Sequence, residues 1–160
     1  MSTENTDRKI VEMQRGKILA VNISDSKGTQ KKNVGRAEVL KGFGIKKDAH
    51  GGPWHRQVSL LADESIEKMR ALGVEVECGD FAENITTQGL DLVNLPVGTC
   101  LRIGSRVTLE VTQIGKECHT RCAIYYQAGT CAMPTEGIFA RVLTGGPVRV
   151  GDTIEVIQKS

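Results

Sequence analysis

The sequence predicts a mainly β fold with a few short helices, arranged as a closed or partly closed β-barrel. Three observations carry that reading. Short apolar runs recur with period two or continuously, Gly, Pro, Asn and Asp punctuate them, and most of the eighteen glycines fall between them. A chain of 160 residues fits one domain and buries most of its apolar surface without covalent staples.

Residues 1–14 are polar, with only Ile10, Val11 and Met13 as apolar anchors, and read as a flexible tail ahead of a single domain over residues 15–160. Strands are expected at Ile18 to Ile23, Ala37 to Leu40, Val58 to Leu61, Leu101 to Ile103, Val107 to Ile114 and Thr153 to Ile157. The clearest helix is Asp63 to Leu72: Asp63 offers a cap, Ile66, Met69 and Leu72 share a face, and Gly73 supplies a left-handed terminator. A second short helix is expected from about Pro134 to Leu143, with Pro134 in its first turn and Gly145 ending it. Gly137 weakens that helix by about 1 kcal/mol relative to Ala. Val148 to Ile157 reads as a turn feeding the last strand.

Composition excludes several function classes. Twenty-one basic against nineteen acidic residues, with few aromatics, supply neither the charge nor the stacking platforms of a general nucleic-acid binder. No window approaches the roughly 18 apolar residues of a membrane span, and no basic region precedes an apolar run at the N-terminus. A cytoplasmic location is expected. Five cysteines are an odd number without an export signal, so they are expected to be reduced thiols rather than a disulfide framework.

Three segments could carry chemistry. In the first, residues 46–57, Lys46, Lys47 and Arg56 surround His50, Gly51 and Gly52 just before a strand. Glycines let backbone N–H groups approach an anion and Arg56 offers a bidentate fork, although a solvated basic loop gives the same pattern. In the second, residues 79–87, Asn84, Thr86 and Thr87 could hydrogen-bond a polar ligand, or Asp80 and Asn84 could simply satisfy a turn.

The third segment places Cys118, His119 and Cys122 within five residues, with Cys131 nine further on. Such soft ligands serve zinc, thiolate coordination of a heavier metal, or sulfur transfer. The spacing departs from the paired knuckles of zinc ribbons. Lys116, His119 and Arg121 could lower a thiol pKa if they converge on the sulfur; the plainer alternative is that Cys131 and a partner are buried small apolar groups. Cys78 and Cys100 flank apolar positions and are assigned to packing or inert surface.

Taken in order, these segments resemble the MOSC family, found at the C-terminus of molybdenum cofactor sulfurases and as small standalone bacterial proteins. The residues that carry the resemblance are His50-Gly51-Gly52, Arg56 to Leu61, Gly79 to Thr87, Gly89 to Leu92, Leu95 to Gly98, the cysteine segment, Gly137 to Val142 and Gly145 to Asp152. The resemblance implies a β-barrel, a molybdopterin-type cofactor, and a cysteine that ligates molybdenum or carries sulfur. It implies that the basic loop, through His50, Gly51, Gly52 and Arg56, holds the cofactor's phosphate, that Asn84, Thr86 and Thr87 shape the pterin pocket, and that Arg121 contacts phosphate or tunes the thiolate.

Both Cys118, which follows the Gly115 turn, and Cys122, which follows Arg121, fit the key thiol and metal ligand; position favours Cys118, with Cys131 as a helper. The chain has no pyridoxal-phosphate domain, so sulfur is expected from a separate cysteine desulfurase carrying that cofactor. The expected function is cofactor sulfuration or sulfur and cofactor transfer. The alternatives are a molybdenum-dependent reductase of N-hydroxylated compounds served by an electron-transfer partner, and a non-catalytic zinc-stabilised module built on Cys118, His119, Cys122 and Cys131.

Overall fold

The computed structural model describes residues 14–27, 29–115 and 136–158. Among the described residues the strands are β1 (Arg15–Ile23), β2 (Lys32–Asn33), β3 (Arg36–Leu40), β4 (Gly44–Ile45), β5 (Val58–Ala62), β6 (Ile85–Gln88), β7 (Cys100–Ile103), β8 (Val107–Ile114), β9 (Ile138–Thr144), β10 (Gly146–Arg149) and β11 (Thr153–Gln158). One helix, α1 (Asp63–Ala71), lies among the described residues.

Seven strands close a barrel in the order β11-β7-β8-β9-β5-β6-β1, with β1 pairing back onto β11 at Arg15↔Glu155 and Lys17↔Thr153. Closure removes the edges that an open sheet would expose to pairing with other chains. A three-stranded sheet, β10-β3-β4, packs against it and contributes Val39, Ile45 and Val148 to the barrel core.

Side-chain alternation fills the interior. Val58, Leu60 and Ala62 of β5 point inward with Val107, Leu109 and Val111 of β8 and Ile138, Ala140 and Val142 of β9. The intervening Leu61 and Phe139 point outward and are covered by Ile66 and Met69 of α1 with Val74, Val76 and Phe81. Both faces of β5 are therefore buried, which is why it reads as a continuous apolar run. β5, α1 and β6 form a parallel crossover unit, Leu60 opposing Ile85 and Ala62 opposing Thr87.

Two expectations are corrected. Residues 138–144 are strand, not helix: Ile138 and Val142 lie four apart as on a helix, but Ala140 between them also faces the core, so period two prevails. Asp63 is the first residue of α1 rather than its cap; Ala62 holds the cap position without a side-chain bond, and Asp63 and Glu64 place negative charge in the first turn. The other end follows the sequence. Gly73 adopts φ +90°, its N–H reaches Arg70 O at 2.9 Å, Val74 N–H reaches Met69 O at 3.4 Å, and the Val74 and Met69 side chains share a cluster.

Candidate functional site

The loop between β4 and β5 is wound tightly. Asp48, His50 and Gly51 form a turn in which Gly51 N–H donates to Asp48 O at 3.2 Å, and Gly52 N–H donates to Phe43 O at 2.8 Å. A Cβ on Gly51 would stand 2.3 Å from the Phe43 ring, so the backbone passes where no side chain fits. Trp54 folds back, its Nε1–H donating to His50 O at 2.8 Å.

That indole is a platform for cations. The Arg56 guanidinium lies 4.6 Å from its ring centre and 5.5 Å from that of Phe139, and Lys27 Nζ lies 5.5 Å from the indole. Arg56 Nε is buried and has no acceptor among the described residues. A stacked guanidinium with an unused N–H suits an oxyanion.

Behind the loop sits a buried ion pair. Lys31 Nζ donates to Asp48 Oδ1 at 2.8 Å, both side chains being 0% exposed, and also reaches Ser24 Oγ at 3.0 Å and His50 Nδ1 at 2.9 Å. Asp48 further accepts from Ser24 N–H and His50 N–H, each at 3.1 Å. Burial alone would raise the Asp48 carboxyl pKa, but bonds from Lys31 and Asn84 and the Lys31 charge hold it below the ordinary aspartate value.

Asn84 joins this network to the barrel. Its Oδ1 accepts from Ser59 N–H at 3.0 Å and Ser59 Oγ–H at 3.2 Å, and its Nδ2 donates to Asn22 O at 3.2 Å. Asn22 Nδ2 donates to Thr86 Oγ1 at 3.1 Å, and Thr86 Oγ1 donates to Glu83 Oε2 at 2.7 Å. Burial pushes the Glu83 carboxyl pKa up despite bonds from Gly79 N–H and Thr86, and its Oε1 has no partner among the described residues.

The loop is also fastened to the end of β8. His55 Nε2 and Gln113 Oε1 lie 2.7 Å apart, Thr112 Oγ1 donates to His55 O, and Gln113 Nε2 donates to Gly115 O at 2.8 Å. Gly115 N–H in turn donates to Gly137 O at 2.7 Å. A groove of about 670 Å³ opens beside this contact, lined by Trp54, His55, Gln57, Glu110, Thr112 and Arg141.

The fold thus brings His50, Gly51, Gly52 and Arg56 into one loop, with Asn84 and Thr86 in the polar layer beneath. Thr87 goes elsewhere: it opposes Ala62 on the interior face, where its Oγ1 is buried without a partner among the described residues. Cys118, Cys122 and Arg121, with His119 and Cys131, lie outside the described residues. Cys78 and Cys100 are half-buried, and burial raises both thiol pKa values, so neither is poised as a thiolate. No group of three His, Cys, Asp or Glu side chains among the described residues could hold a metal.

Sequence reasoning passed over Lys31 as a site residue. It stands beside Lys32 and near Lys27, a spacing that reads as a solvated basic stretch, and only its pairing with Asp48 seventeen residues away reveals it.

Comparison with known proteins places this geometry. The MOSC domain model matches residues 46–155, from the cation loop to the last strand. The crystal structure of YuaD from Bacillus subtilis superposes with a TM-score of 0.76 at 22% identity, over 89% of this chain and 96% of that one. YiiM from Escherichia coli gives a TM-score of 0.64 at 17% identity over 92% and 71% of the two chains, and YiiM from Geobacillus stearothermophilus 0.65 at 18% over 89% and 75%. At these identities the likeness is one of fold. No curated protein matches the chain in sequence. Among the described residues no helix is long and apolar enough to cross a membrane.

Proposed function

The chain belongs to the MOSC domain family, whose members generally bind the molybdenum cofactor, and from that premise we propose that it binds this cofactor at the His50–Arg56 face and acts in cofactor sulfuration or sulfur transfer through Cys118 or Cys122. One observation carries the reading. The segment holding both cysteines leaves β8 at Gly115 and returns at Gly137, two residues joined by a 2.7 Å hydrogen bond and tied through Gln113 to His55 of the cation loop. The two ends of the segment that carries the thiols therefore lie beside this loop.

The donor set fits the group. Arg56 keeps a buried N–H unused, Lys27 shares its indole platform, and an anionic, acceptor-rich pterin phosphate matches both. Arg56 would hold the phosphate; the N–H groups of His50, Gly51 and Gly52 are already donated to Asp48 Oδ2, Asp48 O and Phe43 O, so the turn shapes the face rather than supplying backbone donors to it. Asn84 and Thr86 are engaged in internal bonds and support the loop from below rather than reach a ligand. When bound, the cofactor supplies a metal to which a thiolate ligates. A cysteine desulfurase with its own pyridoxal phosphate would supply sulfur by persulfide exchange: the thiolate of this chain attacks the outer sulfur, the new S–S bond forms as the old one breaks, and the donor leaves as thiolate.

The groove beside Trp54 favours a second reading, since it leaves room for a small substrate next to the same face, as a molybdenum-dependent reductase with an electron-transfer partner would require. Metal and pterin analysis of the purified full chain, as wild type, Cys118→Ala and Cys122→Ala, tests both. Molybdenum with pterin, lost in one variant, supports the cofactor site and identifies its thiol. Protein without cofactor from a molybdenum-replete host, or zinc without pterin, overturns it.

A further inference from the structure

Lys46 and Lys47 stand in the cation loop by sequence, yet they line a groove of their own. It holds about 310 Å³, lies against the β10-β3-β4 sheet, and shares no lining residue with the groove beside Trp54. Ile23, Val34 and Ala37 supply the apolar part of its lining, and Val34 is 45% exposed. Arg36, Lys46 and Lys47, with the single carboxylate Glu38, supply the charged part.

The sheet gathers cations where they repel one another. Ala37 opposes Val148, which points into the core, so Arg36 and Arg149, directly opposite in the same ladder, both face outward. Like charges directly opposite destabilise a sheet, and an anionic group laid over them relieves the repulsion. Lys32 adds a further cation opposite Ile23. Among the described residues none of Lys32, Arg36, Lys46, Lys47 and Arg149 has an ion pair or a side-chain hydrogen bond. Asp152 takes the main-chain N–H of Arg149 at 3.0 Å, not its guanidinium. Lys47 is also held at φ +72°, in the left-handed region that favours glycine. A side chain is thus presented at the groove at the expense of backbone strain, a feature that gathers at ligand contacts.

We infer that this face docks an acidic segment of a partner protein, its carboxylates pairing with Arg36, Arg149, Lys46 and Lys47 and an apolar side chain lying against Val34 and Ile23. Charged groups around an apolar centre are the anatomy of a protein contact. Nucleic acid fits less well: single strands are held by stacking on aromatic side chains, none of which lines the groove, and Glu38 repels a phosphate backbone. The inference does not rest on the cofactor reading.

Fluorescence anisotropy of the full chain at low ionic strength, with a labelled peptide of glutamate and glycine around one leucine, tests it. Saturable binding is expected. It should weaken about fivefold in Lys47→Gly, the scale of one exposed ion pair, while the melting temperature holds or rises because glycine suits that φ. Arg36→Glu, which reverses a charge, should weaken it about tenfold or more, and Lys17→Glu, the same change at the far end of β1, should not. Glutamine in place of the peptide's glutamates should abolish binding, and glycine in place of its leucine should weaken it. Absence of saturable binding, or affinity unchanged in both Lys47→Gly and Arg36→Glu, overturns the proposal. An equal loss in Lys17→Glu overturns it too, since the attraction would then be one of overall charge. Tighter binding of an oligothymidylate at the same salt, sensitive to the same two substitutions, overturns it in favour of a nucleic acid.

Discussion

The guanidinium of Arg56 lies over the Trp54 indole, 4.6 Å from its ring centre, while its Nε–H, buried, meets no acceptor among the described residues. Arg56→Lys keeps the charge but loses the planar fork and the stack. Because the lost bond joins charged groups, worth about 1.5–3 kcal/mol, the affinity for the anionic pterin should fall roughly tenfold to a hundredfold. Pterin content per chain should drop while the melting temperature stays near the wild-type value.

Asp48 should govern the acid limb of stability. Its carboxyl pKa is lower in the folded chain than in the unfolded one, so the unfolded state takes up protons first as pH falls. The stabilisation is complete above the unfolded value near 3.8 and is lost as pH descends through the folded one. Urea titrations from neutral to acid pH should show this loss in wild type and a flatter limb in Asp48→Asn. Removing the countercharge instead, in Lys31→Met, leaves a buried carboxylate alone and should cost about 3–5 kcal/mol at neutral pH.

How far these features could be read from sequence depends on the range of the interactions. β1, β5, β8 and β11 declare themselves because each carries its own apolar run, and the end of α1 is signalled locally by Gly73. β6 does not: Ile85-Thr86-Thr87-Gln88 has one apolar residue, and it is strand because it lies between β1 and β5. β9 was open to two periods, and only the barrel interior chooses between them. The cation loop was visible as a cluster of residue types, but its organisation was not. Trp54 on Arg56, and Lys31 on Asp48 and His50, are tertiary facts that no local spacing encodes.

Gly79 marks where the polar layer is tightest. Its φ is +92°, and a Cβ there would stand 2.2 Å from Lys31 O, the residue with which its own carbonyl is paired. Gly79→Ala would add left-handed strain of about 1–2 kcal/mol to a backbone clash, so a loss of about 2 kcal/mol or more is expected. Equilibrium unfolding measures it. A near-neutral substitution would mean that the 77–84 turn and the Lys31 segment separate easily, and the support of His50 would be weaker than the distances indicate.

Glu83 should act on pH with the opposite sign to Asp48. Its carboxyl is fully buried, burial being the largest influence, and its pKa is higher in the folded chain than in the unfolded one. Below the unfolded value near 4.5 both states hold the proton and stability is complete; as pH rises through the folded value the unfolded chain has already ionised and stability declines. Because Oε2 accepts from Gly79 N–H at 2.9 Å and Thr86 Oγ1–H at 2.7 Å, Oε1 is the oxygen that takes the proton when the carboxyl is protonated. Glutamine preserves an acceptor for both bonds and cannot ionise. The melting temperature of Glu83→Gln relative to wild type should therefore increase as pH rises from the unfolded value near 4.5 and level off above the folded one. A difference that stays constant across that range would show that the carboxyl titrates alike in the folded and unfolded chains, so that burial does not raise its pKa.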